Sequence, residues 1–159
     1  MRWASANLCV IVVGKLKTPA WTAVQSDYLE RLRRYVPIEL SEVKDAVGKG
    51  SPDEAAMEQE GRALLKEASA ARSVIALTPV GKTFDSTAWA RMLEKQIETY
   101  QNLAFVIGGP AGLSADVLKA SRLQLSLSCM TFPHELARVI FLEQLYRAFT
   151  ILNGEKYHK

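Results

Sequence analysis

Five short apolar runs alternate along the chain with stretches in which apolar residues recur every three or four positions. No other feature constrains the fold as strongly. Asn7–Val13 is apolar at nearly every position and rich in β-branched residues, the pattern of a strand buried on both faces. Strands separated by helices are joined by crossovers and pair in parallel, whereas antiparallel neighbours need only a tight turn. The sequence therefore predicts an α/β fold, a mostly parallel sheet with helices on both faces.

The elements follow in order. Pro19 to Tyr35 carries Trp21, Val24, Tyr28, Leu29 and Leu32 at helical spacing, with Pro19 suited to a first turn. Pro37–Val43 alternates apolar and polar residues and is expected nearer a sheet edge than the first strand. Lys44–Gly50 is polar and glycine-rich and reads as a mobile surface loop. Ser51 is the expected cap of a helix running to about Ala70, with Glu54 as capping-box partner and Gly61 as a weak position inside it. Ser73–Thr78 is a third strand, closed by a turn at Pro79-Val80-Gly81-Lys82. Asp85-Ser86-Thr87 caps a helix to about Tyr100, and Leu103–Ile107 is the fourth strand. Ser114 caps a short helix to about Ala120, Leu123–Ser128 is a fifth strand, and a long helix runs from Pro133 to Leu152 before Asn153-Gly154 stops it. Met1–Ala6 reads as a loose leader.

With 159 residues, 48% hydrophobic and 23% charged, the chain is expected to form a single domain with a substantial core. No apolar run reaches the roughly 18 residues of a membrane span, and Leu8–Val13 is too short for a secretory core, so a soluble cytoplasmic protein is expected. The only histidines, His134 and His158, and the only cysteines, Cys9 and Cys129, match no metal-ligand spacing, and both thiols are expected to be buried and reduced. The formal charge of +3 is too small to establish nucleic-acid binding by itself. Its clusters, Lys15 and Lys17, then Arg31, Arg33 and Arg34, then Arg147, Lys156, His158 and Lys159, each read first as solvated faces or helix-end charges.

Phe105-Val106-Ile107-Gly108-Gly109-Pro110-Ala111-Gly112 brings a strand into a glycine-rich turn, the place where open α/β sheets bind ligands. Its spacing is neither G-x-G-x-x-G nor G-x-x-x-x-G-K-[ST], so neither dinucleotide nor triphosphate binding is implied. In a parallel sheet the turns after Thr78, Ile107 and Ser128 share one edge. Leu77, Gly108, Leu127, Met130 and Phe132 would line a concave, sparsely charged site there, better suited to a nucleoside than to a triphosphate.

The motif Phe105 to Leu113, then Leu125-Ser126-Leu127-Ser128-Cys129-Met130-Thr131-Phe132-Pro133-His134, then Glu143-Gln144-Leu145-Tyr146-Arg147-Ala148 and Tyr157-His158-Lys159, resembles the ribosomal RNA large-subunit methyltransferase H family of the SPOUT class. Val13 to Lys17 and Leu77 to Lys82 extend a weaker match over most of the chain. The resemblance implies a homodimer with a carboxyl-terminal trefoil knot over about residues 103–159, a topology that connection rules would never suggest. It implies methylation of N3 of a pseudouridine in 23S rRNA of assembled ribosomes, with S-adenosylmethionine as donor and without metal. Carried onto matching positions, the cofactor contacts are Leu77, Gly108, Leu127, Ser128, Cys129, Met130, Thr131 and Phe132. Tyr157, His158 and Arg147 are the implied catalytic group, His158 as base or orienter, and Lys159, Arg138 and His134 the implied RNA contacts.

The long helix has more apolar surface than one sheet face can cover, which itself favours an oligomer. Tyr146 and Phe149 are expected in the core or a dimer interface, and Arg138 and Glu135 stand one turn apart, placed to pair. Thr78 and Ala111 depart from the family pattern and leave those two turns without a carboxylate. A ribosome-associated binding factor that keeps the fold without the reaction would fit the basic tail equally well; a dehydrogenase lacks its glycine fingerprint here.

Overall fold

A computed structural model describes residues 2–159, and Met1 lies outside the described residues. Five strands, β1 (Asn7–Val13), β2 (Ile38–Val43), β3 (Ser73–Lys82), β4 (Asn102–Ile107) and β5 (Leu123–Leu125), form one sheet in the order β2-β1-β4-β3-β5. Every pairing is parallel. The expected α/β architecture is therefore observed, with β1 interior and the alternating strand β2 at an edge. Alternate residues of β1 feed two cores. Leu8, Val10 and Val12 join one cluster, and Ile11 and Val13 the other.

The first core lies under α1 (Pro19–Leu32), α3 (Ser86–Tyr100) and α5 (His134–Leu152). Phe105 of β4, Trp89 of α3 and Phe141 of α5 interlock there at ring separations of 6.4 and 5.1 Å. The second, smaller core lies under α2 (Asp53–Glu67) and α4 (Ala115–Ala120). Gly61 inside α2 has a reason for being there: a Cβ at this position would collide with the Ser114 hydroxyl and press on Val117. Absence of a side chain lets α2 and α4 approach.

Several sequence expectations are corrected. Pro52, not Ser51, occupies the N-cap position of α2, without a side-chain capping bond, so the serine motif is not used as a capping box. Asp85 and Ser114 do cap, accepting from Ala88 N and Val117 N. The expected turn at residues 79–82 is instead the irregular end of β3, whose register shifts between Leu77 and Lys82 so that both face Leu125. In return β5 is only three residues long, and the chain after Leu125 bends away from the sheet, with Ser126 N still donating to Lys82 O.

The leader is also packed where it is described. Trp3 is buried edge-on against Phe149 at 4.9 Å, and Arg2 bonds Glu94 and the Leu152 carbonyl. The loop after β2 is anchored from beneath, because Glu60, buried in α2, accepts from Ala46 N and Val47 N at 2.8 and 3.1 Å. Cys9 is half-buried, and Cys129 is exposed rather than buried; both are free thiols. Burial, and then the charges of Glu39 and Glu67, push the Cys9 thiol above its usual range.

Candidate active site

Parallel pairing brings the carboxyl ends of β4, β3 and β5 to one edge, and a small apolar pocket of about 100 Å³ forms there. Leu77-Thr78-Pro79 supply one wall, Ile107 another, and the segment Leu125–Phe132 the third, with Ala137 of α5 behind. Six of the eight expected cofactor residues, Leu77, Leu127, Ser128, Met130, Thr131 and Phe132, line it together. Cys129 lies in the same segment but is not part of the lining, and Gly108 follows directly on Ile107. No lysine or arginine lines the pocket.

The 126–130 segment is held by its own polar groups. Ser126 Oγ donates to the Ser128 carbonyl at 2.9 Å, and Ser128 Oγ accepts from Met130 N at 3.0 Å. These short local bonds shape a turn without regular structure. The glycine-rich turn owes its composition first to itself. A Cβ on Gly108 would stand 2.7 Å from the Gly112 carbonyl oxygen, and Gly112 closes back on Gly109 with φ of +86°. Close approach at Gly108 is therefore backbone to backbone, within the turn.

The expected catalytic group is a second cluster, on another side of α5. Glu143 accepts from Nε and Nη2 of Arg147 at 3.0 and 2.6 Å and from the Tyr157 hydroxyl at 3.1 Å. Arg147 lies over the Tyr157 ring at 4.7 Å, and Tyr157 meets Tyr146 edge-on at 4.8 Å. The Arg147 Nη1 is 3.4 Å from His158 Nδ1. A guanidinium can only donate, so a hydrogen bond here would use Nδ1 as its acceptor. Desolvation, then hydrogen bonding to Tyr28 and Glu143, pushes the Tyr157 hydroxyl well above the usual tyrosine range. Glu143 is the residue that the sequence reading left without a role; its i,i+4 spacing to Arg147 was the available signal.

The two clusters draw on different turns of α5, although Gln144, bonded to Glu143 at 2.8 Å, shares a small cavity with Leu125, Ser126 and Leu127. Glu143 and Arg147 follow Ala137 by six and ten residues, about 9–15 Å along the axis, and helical periodicity turns them to another side of α5. Lys159 ends the chain in an exposed position. His134 lines a different, larger cleft at the ends of β1 and β2. Arg138 is a correction to the expected RNA contacts. Only 2% exposed, it donates from Nη2 to the carbonyls of Val13 and Gly14 at 3.2 and 2.9 Å, with Glu42 3.6 Å from Nη1. It braces α5 against β1 from inside. Nor does it pair with Glu135, which instead accepts from the backbone N–H groups of Lys17 and Thr18 and from the Thr18 hydroxyl. Those bonds, the one from Lys17 foremost, hold the Glu135 carboxyl below its usual range.

A family model described as "Predicted SPOUT methyltransferase" matches residues 6–158. The chain belongs to the SPOUT methyltransferase family. Among its SPOUT relatives, the "Ribosomal RNA large subunit methyltransferase H" of Gemmatimonas aurantiaca is 39% identical, covering 96% of this chain and 99% of that one. The protein of the same name from Clostridium botulinum strain Kyoto is 41% identical, with coverage of 96% and 99%. Among solved structures, a probable methyltransferase from Bordetella pertussis superposes with a TM-score of 0.62 at 14% identity, covering 94% of this chain and 99% of that one. At that identity the likeness is one of fold. It places this SPOUT chain's parallel sheet beside that of a solved methyltransferase.

Among the described residues, no three His, Cys, Asp or Glu side chains converge as a metal site, and no helix is long and apolar enough to cross a membrane. The pocket's chemistry fits a sulfonium donor. Apolar side chains suit a nucleoside base, backbone groups can read its edge, and the lack of cations in the wall avoids repelling a positively charged sulfur.

Proposed function

We propose that this protein transfers a methyl group from S-adenosylmethionine to N3 of a pseudouridine in 23S rRNA of the assembled ribosome, acting in the cytoplasm as a homodimer. The observation that carries the reading is the convergence of three turns on one apolar, cation-free pocket, in a chain aligned over nearly its whole length with relatives named for large-subunit rRNA methylation. Leu77, Ile107, Leu127 and the 128–132 backbone would hold the donor, which supplies an electrophilic methyl on a sulfonium. Gly108 shapes the turn behind them.

The pocket volume is below the roughly 300 Å³ of ordinary ligand sites, so part of the donor lies across its mouth and is enclosed by a second copy of the chain. The tail of that copy brings Tyr157, His158 and Arg147 over the target. Arg147, charged and fixed by Glu143, faces the base carbonyls and stabilises the anion left when N3 loses its proton. His158 orients the base, while the imide proton leaves to solvent. Tyr157 fixes the tail. Catalysis then consists chiefly of alignment, because an in-line displacement from sulfur to nitrogen needs little beyond a deprotonated nucleophile in place. Lys159 and His134 contact RNA at the periphery.

A carboxyl-terminal trefoil knot over about 103–159 belongs to the same proposal. It is supported by the path of the chain, which leaves β5 at one edge, passes the ends of β3 and β4, and enters α5 braced against the end of β1.

Incubation with methyl-labelled S-adenosylmethionine and either assembled ribosomes or free rRNA tests the function. Label is expected at a pseudouridine N3, on ribosomes and not on free rRNA. The absence of label on both, or the absence of donor binding by calorimetry, overturns the reading.

A further inference from the structure

A second cavity, larger than the three-turn pocket, lies beside it on the sheet edge. A cleft of about 620 Å³ opens at the carboxyl ends of β1 and β2, on the same edge of the sheet. Four lysines, Lys15, Lys17, Lys44 and Lys49, line it against two acids, Glu42 and Asp45. Both acids are already engaged. Asp45 pairs with Lys49 at 3.1 Å, and Glu42 faces Arg138. Lys15, Lys17 and Lys44 have no ion-pair partner among the described residues, and all three are exposed.

A second observation lies under the floor. The buried guanidinium of Arg138 touches Val13, Gly14 and Glu42, all lining residues, and its Nε and Nη1 have no hydrogen-bond partner. A buried charge left partly unsatisfied is costly, and an anion above it would offset that cost. The walls are built and not merely crowded. Glu60 fixes the backbone at Ala46 and Val47, and Glu135 fixes it at Lys17 and Thr18, so the lysines stand on anchored loops.

We propose that this cleft seats a backbone phosphate of the RNA strand whose base enters the methyl-transfer pocket, with Lys15, Lys17 and Lys44 as the phosphate contacts. The inference rests on the proposed rRNA substrate and names the part of the protein that grips it. Two strand spacings, about 10 Å, separate the ends of β1 and β3, so cleft and pocket are within reach of neighbouring nucleotides. Pro110 of the glycine-rich turn and His134 at the start of α5 line the cleft, each a few residues in sequence from pocket-lining residues. Lysine ammonium groups act on phosphate as point charges from several directions, which suits a concave site with a protruding phosphate better than a flat acidic protein surface.

The test uses the full chain and a variant carrying Lys15→Ala, Lys17→Ala and Lys44→Ala, with a short fluorescent single-stranded RNA as probe. Wild-type binding weakens with salt. In the variant the slope of log affinity against log salt is expected to become shallower by about 0.7, the contribution of one neutralised single-strand phosphate. Donor affinity and the unfolding midpoint are expected to be unchanged, the three side chains being exposed. An unaltered slope overturns the proposal, as does a polyglutamate peptide displacing the RNA as effectively as unlabelled RNA does. Loss of donor binding in the wild type would instead count against the methyltransferase reading, so the two failures are distinct.

Discussion

The carboxylate of Glu143 receives donors from Arg147 and Tyr157 at once, and Arg147 in turn stands 3.4 Å from His158 Nδ1. Tyr157 ionises late because desolvation and these bonds disfavour its phenolate, and Tyr35 does so because of burial and then its 2.7 Å bond to Glu155. A group whose folded pKa lies above its unfolded value favours the folded state fully below the unfolded pKa, near 10 for tyrosine, and loses that contribution as pH rises through the folded value. Tail docking is therefore expected to hold through neutral pH and fail in strong alkali. Spectrophotometric titration should show Tyr35 and Tyr157 ionising above the ordinary range, and Tyr157→Phe should remove one of these late signals. Ionisation of all five tyrosines together near pH 10 would contradict this arrangement.

At the scale of elements, the β3–β5 pairing shapes the three-turn pocket. Gly81 sits where a Cβ would meet the backbone of Gln124 and Leu125 at 2.7 Å, with no side chain able to yield. Gly81→Ala is expected to cost roughly 1–3 kcal/mol in chemical denaturation, the range for overpacking, and to weaken donor binding by displacing the segment after β5. Stability equal to wild type would show that the edge adjusts freely. This pairing also marks where the sequence stopped being legible. Hydrophobic period and capping residues located the strands and helices, because β1, α3 and α5 bury continuous apolar surface that only one period can satisfy. Pro79 and Gly81 carry the chemistry of a turn and yet lie in the irregular end of a strand, a difference set by tertiary contact with Gln124 and Leu125. Arg138 was unreadable for a related reason. Its charge suggests a surface contact, and only the three-dimensional path of α5 past Val13 and Gly14 shows it buried.

For the whole molecule, the two most exposed large apolar side chains among the described residues are Val80, at 83%, and Met130, at 75%. Met130 lines the three-turn pocket, and Val80 directly follows its lining residue Pro79. Both stand beside the pocket that the proposed homodimer would enclose. In the proposed dimer the tail cluster of Arg147, Tyr157 and His158 is what a second copy would bring. The proposed homodimer would have two composite sites, each pairing one chain's turns with the other's tail. The arrangement predicts complementation. A chain with Gly108→Val has a damaged turn and an intact tail, and a chain with His158→Ala has the reverse; each alone should methylate ribosomes poorly. Co-refolded in equal amounts, half of the dimers are mixed, and each mixed dimer contains one site built from two sound halves. Activity should recover to about a quarter of wild type if pairing is random, because an isologous interface makes the two sites equivalent. Recovery requires that pocket and tail come from different chains; a mixture no more active than its components would place both in one chain and require the tail to leave Glu143 and cross α5.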